Sequence, residues 1–133
     1  MVDSICIELV LRKDFLPKET PVRTVYFGGG TPSLLSKPHL EKILETITKW
    51  YSLDLEEVTL EANPDDLSTS NLQNWKTLGI DRLSIGIQTF NPEILKFYNR
   101  AHTSEESLKA IESAKSTGFE KLSVDLIYGF PSA

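Results

Sequence analysis

Apolar residues recur along the chain at two alternating spacings, and the alternation predicts its elements. Val2 to Lys13 has a helical period, with Ile5, Leu9 and Arg12, or alternatively Cys6, Leu9 and Val10, sharing one side. Arg23 to Phe27 is a short β-branched and aromatic run ending at Gly28, which predicts a strand. Ser36 can cap a helix from Lys37 to Tyr51 whose stripe is Leu40, Ile43, Leu44, Ile47 and Trp50. Glu57 to Leu60 predicts the next strand. Ser68 can then cap a helix through Leu72, Trp75 and Leu78 that stops at Gly79. Arg82 to Ile85 predicts a third strand. Asn91-Pro92 opens a short helix, and Thr103 with Glu106 forms a capping box for a helix running to Gly118. Lys121 to Ile127 predicts the fourth strand.

Strands separated by helices imply crossover connections and a parallel sheet, here apolar enough for burial on both faces. An internal repeat supports this. Gly79-Ile80-Asp81-Arg82-Leu83-Ser84-Ile85-Gly86 matches Gly118-Phe119-Glu120-Lys121-Leu122-Ser123-Val124-Asp125 in residue type at nearly every place. Each copy is a helix-ending glycine, a turn and a strand. Such repeated units belong to an α/β barrel or to an open doubly wound sheet.

Setting the four strands in register puts Gly28, Glu61, Gly86 and Asp125 at their last positions, each followed by a polar or glycine-rich segment. In parallel α/β folds ligands sit at the carboxyl ends of strands, because those loops share one rim. Gly28-Gly29-Gly30-Thr31 lets backbone approach a ligand closely, although a tight strand-to-helix turn explains the glycines equally. It is neither a P-loop nor the spaced dinucleotide-binding pattern. Glu61, at a strand end before an Asn-Pro turn, reads by itself as a helix cap or a solvated rim charge; Gln88 and Asp125 suit sugar hydroxyls or local loop bonds. Arg100 can grip a carboxylate in bidentate fashion or simply face water. His102 reads as structural, and Cys6 as a buried, inert thiol.

Composition narrows the partners. A net charge of −5 and a predicted pI near 5.0 argue against a general nucleic-acid binder. No apolar run approaches the roughly 20 residues of a membrane span, no secretory leader is visible, and the single cysteine fits a reducing compartment. The cytoplasm is the expected location.

Several motifs taken in order resemble one family. They are Val25-Tyr26-Phe27-Gly28-Gly29-Gly30-Thr31-Pro32-Ser33, Glu61-Ala62-Asn63-Pro64, Arg82-Leu83-Ser84-Ile85-Gly86-Ile87-Gln88, Arg100-Ala101-His102-Thr103 and Asp125-Leu126-Ile127-Tyr128-Gly129-Phe130-Pro131. Together they resemble the oxygen-independent coproporphyrinogen III oxidase-like branch of the radical S-adenosylmethionine (SAM) enzymes, which includes the heme chaperones called HemW. Glu61-Ala62-Asn63-Pro64-Asp65-Asp66 and the Arg-x-His-Thr run look more like the chaperone branch.

The resemblance implies an α/β fold: a partial TIM-like (β/α)6 barrel holding roughly strands two to five. It implies that the backbone of Gly29, Gly30 and Thr31 binds the amino group of SAM. Glu61 and Arg100 would hold the amino-acid end, Gln88 and Asp125 the ribose hydroxyls, and the Tyr128–Pro131 loop would pack near the adenine. It further implies a [4Fe–4S] cluster on a Cys-x3-Cys-x2-Cys motif, which these residues lack. Asn99 stands where the family usually has glycine.

Residues 1–133 are therefore expected to be part of a radical SAM core, lacking the cluster-binding segment and the C-terminal region, inactive alone and weak in SAM binding. The full-length parent would be a heme chaperone taking SAM, the cluster and heme. An oxidase converting coproporphyrinogen III to protoporphyrinogen IX is the rival, and an unrelated domain binding a phosphate-containing metabolite the plainest alternative. Two open sheet edges would favour self-association.

Overall fold

The computed structural model describes residues 1–100 and 102–129. Its elements are α1 (Val2–Leu11), β1 (Val22–Phe27), α2 (Lys37–Trp50), β2 (Leu53–Ala62), α3 (Thr69–Thr77), β3 (Arg82–Gln88), α4 (Pro92–Phe97), α5 (Ser104–Thr117) and β4 (Lys121–Leu126). Short 3₁₀ turns, Pro32–Leu34 and Pro64–Asp66, follow β1 and β2. Every expected element forms. β2 begins earlier than Glu57 because Val22 pairs with Leu53, drawing an acidic, partly exposed stretch into the ladder.

The helix boundaries follow from local hydrogen bonding. Ser36, Ser68 and Thr103 each accept a bond from the backbone N–H three residues on, satisfying a donor that the first helical turn leaves unpaired. Asn91 accepts two bonds, from the N–H groups of Glu93 and Ile94, two and three residues on. α5 ends at Gly118, whose φ of 104° suits only a residue without Cβ.

All four strands are parallel, in the order β1-β2-β3-β4. Phe27 pairs with Leu60, so Gly28 lies beside Glu61, but Glu61 pairs with Ser84 and Gly86 with Asp125. The ends of β3 and β4 therefore project two residues further than simple alignment of the four last residues implies. An even offset keeps Gly28, Glu61, Gly86 and Asp125 on one face of the sheet, because side chains alternate with period two.

That alternation corrects the expectation of two buried apolar faces. Val58, Leu60, Ala62, Leu83, Ile85 and Ile87 face the helices and join Leu40, Leu72, Trp75, Ala110 and Ala114 in one core. Leu60, Leu83, Ile85 and Ile87 are fully buried, each contributing about 1.5–3 kcal/mol of transfer free energy. The intervening residues are Thr59, Glu61, Arg82, Ser84, Gly86, Gln88, Ser123 and Asp125, an almost wholly polar face. Arg82 there donates to Thr59 Oγ1 at 3.4 Å and to Ser123 Oγ. A second cluster of Val2, Cys6 and Ile43 fastens α1 to α2, aided by the Asp3–Lys42 ion pair and by Tyr51 Oη donating to the Leu9 carbonyl at 2.8 Å.

Candidate functional site

Six of the seven expected site residues line one cavity of about 300 Å³ at the carboxyl ends of the strands: Gly30, Thr31, Glu61, Gln88, Arg100 and Asp125. The seventh, Gly29, adjoins it and donates its N–H to Glu61 Oε1 at 3.1 Å. The triple glycine thus does not offer that N–H to an anion; the carboxylate of the neighbouring strand already takes it. Gly29 and Gly30 hold φ of 79° and 58°.

The site is built by neighbouring strands making room for one another. A Cβ on Gly28 would stand 2.2 Å from Glu61 Oε1, so the bare backbone there is what lets the carboxylate lie across the end of β1. Ser84 is buried in the wall and donates to Asp125 Oδ2 at 3.3 Å, crossing from β3 to β4. Asp66 ties the first two rim loops, accepting from Ser33 Oγ at 2.6 Å and from Asn63 N at 3.2 Å. Arg100 reaches the rim because Asn99 takes a φ of 52° and the Arg100 N–H closes α4 on the Leu95 carbonyl at 2.9 Å. Asparagine here fulfils the left-handed role that glycine fills more cheaply.

Sequence reasoning passed over Ser84 and Asn63, which also line the cavity, and Asp66. The signal was available: Arg82, Ser84, Gly86 and Gln88 share one phase of a period-two pattern whose other phase is aliphatic.

Cys6 lies far from this rim, buried beneath α2 with its Sγ 4.0 Å from the Lys42 carbonyl, as its inert reading requires. Tyr128 is exposed, and Phe130 and Pro131 of the expected adenine loop lie outside the described residues. A larger groove of about 770 Å³ runs between α1 and α2, where Ile7, Val10 and Leu11 lie beside the paired Asp3 and Lys42 and the exposed Glu45 and Lys49. Among the described residues no helix is long and apolar enough to cross a membrane.

Residues 8–132 match the radical SAM superfamily. The chain belongs to that superfamily. Within it, this radical SAM chain is 44% identical over 111 residues to the heme chaperone HemW of Lactococcus lactis, covering 83% of the chain and 29% of the relative. It is 41% identical to HemW of Bacillus subtilis, covering 83% of the chain and 30% of the relative. The fold overlays on coproporphyrinogen III oxidase (HemN) from Escherichia coli, a radical SAM enzyme, with a TM-score of 0.85 and 28% identity over 98% of this chain and 30% of that one. The radical SAM chain thus spans about 30% of the length of the relatives it matches, and its four strands form part of their TIM-like barrel.

The superfamily uses SAM with a [4Fe–4S] cluster, and the two groups fit these residues differently. Such a cluster takes thiolate ligands, whereas this sequence holds one cysteine, turned into the core. Among the described residues no group of three or more His, Cys, Asp or Glu is arranged to hold a metal ion. SAM is another matter, because the rim offers two carboxylates, one guanidinium, two amides and bare backbone around one cavity.

Proposed function

We propose that the strand-end cavity is the SAM site of a longer heme-handling radical SAM protein, of which residues 1–133 are part of the core. One observation carries this reading: Glu61, Gln88, Arg100 and Asp125, from four separate segments, line a single cavity with the Gly30-Thr31 backbone. Two carboxylates and one guanidinium leave the rim net acidic, which complements a ligand bearing an ammonium and a sulfonium against one carboxylate. The cavity is at the small end of the range for ligand pockets.

Within this proposal the backbone carbonyls of the Gly29–Thr31 turn accept from the ammonium, since the Gly29 N–H is already engaged. Glu61 supports the same ammonium, and Arg100 pairs with the ligand carboxylate. Gln88 and Asp125 take the ribose hydroxyls, with Ser84 holding the Asp125 carboxylate in place. In radical SAM proteins bound SAM is the source of a 5′-deoxyadenosyl group for radical chemistry. The reductive half of that chemistry needs thiolate ligands that these residues do not supply, so we assign no such activity to them alone and place the cluster on the remainder of the longer protein.

For the whole protein we favour a heme chaperone, because the nearer sequence matches carry that name. The likeness to HemN favours the second reading, an oxygen-independent coproporphyrinogen III oxidase. Full-length protein given a reductant and coproporphyrinogen separates them: turnover removes the chaperone reading, and heme binding without turnover removes the oxidase. The single-sided pairing of β1 and β4 further supports self-association or strand addition at the edges, read as concentration-dependent mass in sedimentation.

The site itself is tested by titrating the chain with SAM while following amide resonances. Binding should be weak, with Kd of about 1 mM, and should move the amides of residues 29–31, 61, 88 and 125. Gly28→Ala should abolish it while the fold survives, because the added methyl displaces only the flexible end of Glu61 and the Tyr26 ring. Shifts confined to other surfaces, or unchanged affinity in Gly28→Ala, would remove the assignment.

A further inference from the structure

The end of β3 contains a backbone conformation that the local sequence does not favour. Gln88 has a φ of 73°, although it is neither glycine nor asparagine. The Thr89 N–H donates back to the Ile87 carbonyl at 2.9 Å, closing a three-residue turn around Gln88 of the strained, positive-φ kind. The ladder to β4 slips at the same place: Gly86 pairs with Asp125, but Gln88 rather than Ile87 pairs with Leu126. A bulge of this type re-aims the side chain that follows it. Here the Gln88 amide folds back over Gly86, where an added Cβ would come within 3.0 Å of Nε2.

Something must hold this turn, because such residues persist only when their surroundings over-determine them. Two bonds do so. The Gln88 carbonyl accepts from the Ile127 N–H at 2.7 Å. The Ile87 carbonyl, already bonded to Thr89, is also 2.9 Å from Nε2 of His102, a side chain only 4% exposed. A carbonyl can only accept, so His102 Nε2 carries the hydrogen. His102 also follows Arg100 by two residues, so the bond ties the segment presenting Arg100 to the strand end presenting Gln88. Both of these side chains line the strand-end cavity.

We propose that His102 is a positioning residue whose Nε2–H, held on the Ile87 carbonyl, keeps Gln88 in its left-handed conformation with its amide turned into the adenosyl cavity. The proposal rests on the SAM reading for its ligand consequence but not for its geometry. Without the bond, the Ile87–Thr89 segment loses a buried partner and can relax toward extended backbone, which carries the Gln88 amide off the rim.

The test compares His102→Phe, which keeps a ring without the donor, with His102→Gln, which restores an N–H at similar reach. Amide exchange is followed at Thr89 and at Leu83 and Leu122 as strand references, and SAM is titrated into each chain. His102→Phe should speed Thr89 exchange and weaken SAM binding, each by about tenfold, the scale of one lost buried hydrogen bond. His102→Gln should recover both to within about threefold, with Leu83 and Leu122 unmoved. Equal losses in the two variants, or no change at Thr89, would overturn the proposal in favour of simple packing. If the unsubstituted chain does not bind SAM, the functional reading falls, and His102 is then judged on Thr89 exchange alone. Should His102→Phe fail to fold, imidazole ¹⁵N resonances of the unsubstituted chain still decide: an Nε2–H tautomer supports the clamp, and a bare Nε2 overturns it.

Discussion

The two faces of the sheet are made by the same four strands, one residue in two going to each, yet they hold very different contents. Toward the helices lie Leu60, Leu83, Ile85 and Ile87, fully buried and continuous with Leu40, Leu72 and Ile80. Toward the open side lie Arg82, Ser84, Gln88, Glu61 and Asp125; Arg82 and Ser84 bond across to neighbouring strands, and the row ends in the cavity. Stability resides on the first face, because transfer free energy scales with apolar area removed from water. The residues that line the cavity reside on the second, where buried Thr59 and Ser84 are hydrogen-bonded and Glu61, Gln88 and Asp125 keep contact with water. The two tasks are separable because the period of a strand is two.

The largest loss of stability is expected on the apolar side. Leu83→Ala should cost about 2–5 kcal/mol in urea unfolding, since the residue is fully buried at the sheet centre and its cavity cannot collapse easily. A loss below about 1 kcal/mol would mean that the helix face is not the main source of stability. An intermediate effect belongs to the frame that carries the strands. Gly118→Ala should cost about 1–2 kcal/mol, because φ is 104° there and the new methyl would stand 1.9 Å from Lys76 Nζ, which must then release the Thr117 carbonyl. Thermal unfolding measures it. The smallest change in stability is expected on the polar face. Ser84→Ala should cost about 0.5–1 kcal/mol while weakening SAM binding by about threefold, since the buried hydroxyl leaves together with its bond and the exposed Asp125 loses only its orienting donor. A large fall in stability there would show that the polar network also holds the sheet together.

Much of the fold was legible in local residue chemistry. Ser36, Ser68, Asn91 and Thr103 mark helix starts because their side chains satisfy N–H groups that a helix must leave open. Gly79 and Gly118 mark helix ends because they take φ of 93° and 104°. Of the expected site residues, Gly29, Gly30, Thr31, Glu61, Gln88 and Asp125 were legible as strand ends and the segments that follow them, whereas Arg100 stood in the polar break between two helices. What was not legible is how they interact. That Gly29 donates to Glu61, that Ser84 carries Asp125, and that His102 reaches Ile87 depend on pairings across 32, 41 and 15 residues. No local pattern encodes such bonds.

By itself the sequence determined the order of helices and strands and the parallel arrangement, since these follow from short-range sterics, capping and periodicity. Only the tertiary structure decided the two-residue offset between strands, the slip of the β3–β4 ladder beyond Gly86, and the left-handed turn at Gln88. Those features arise from matching whole strands against one another and against His102. A residue's own conformational preference, worth a kilocalorie or two, yields to the combined bonds of its neighbours.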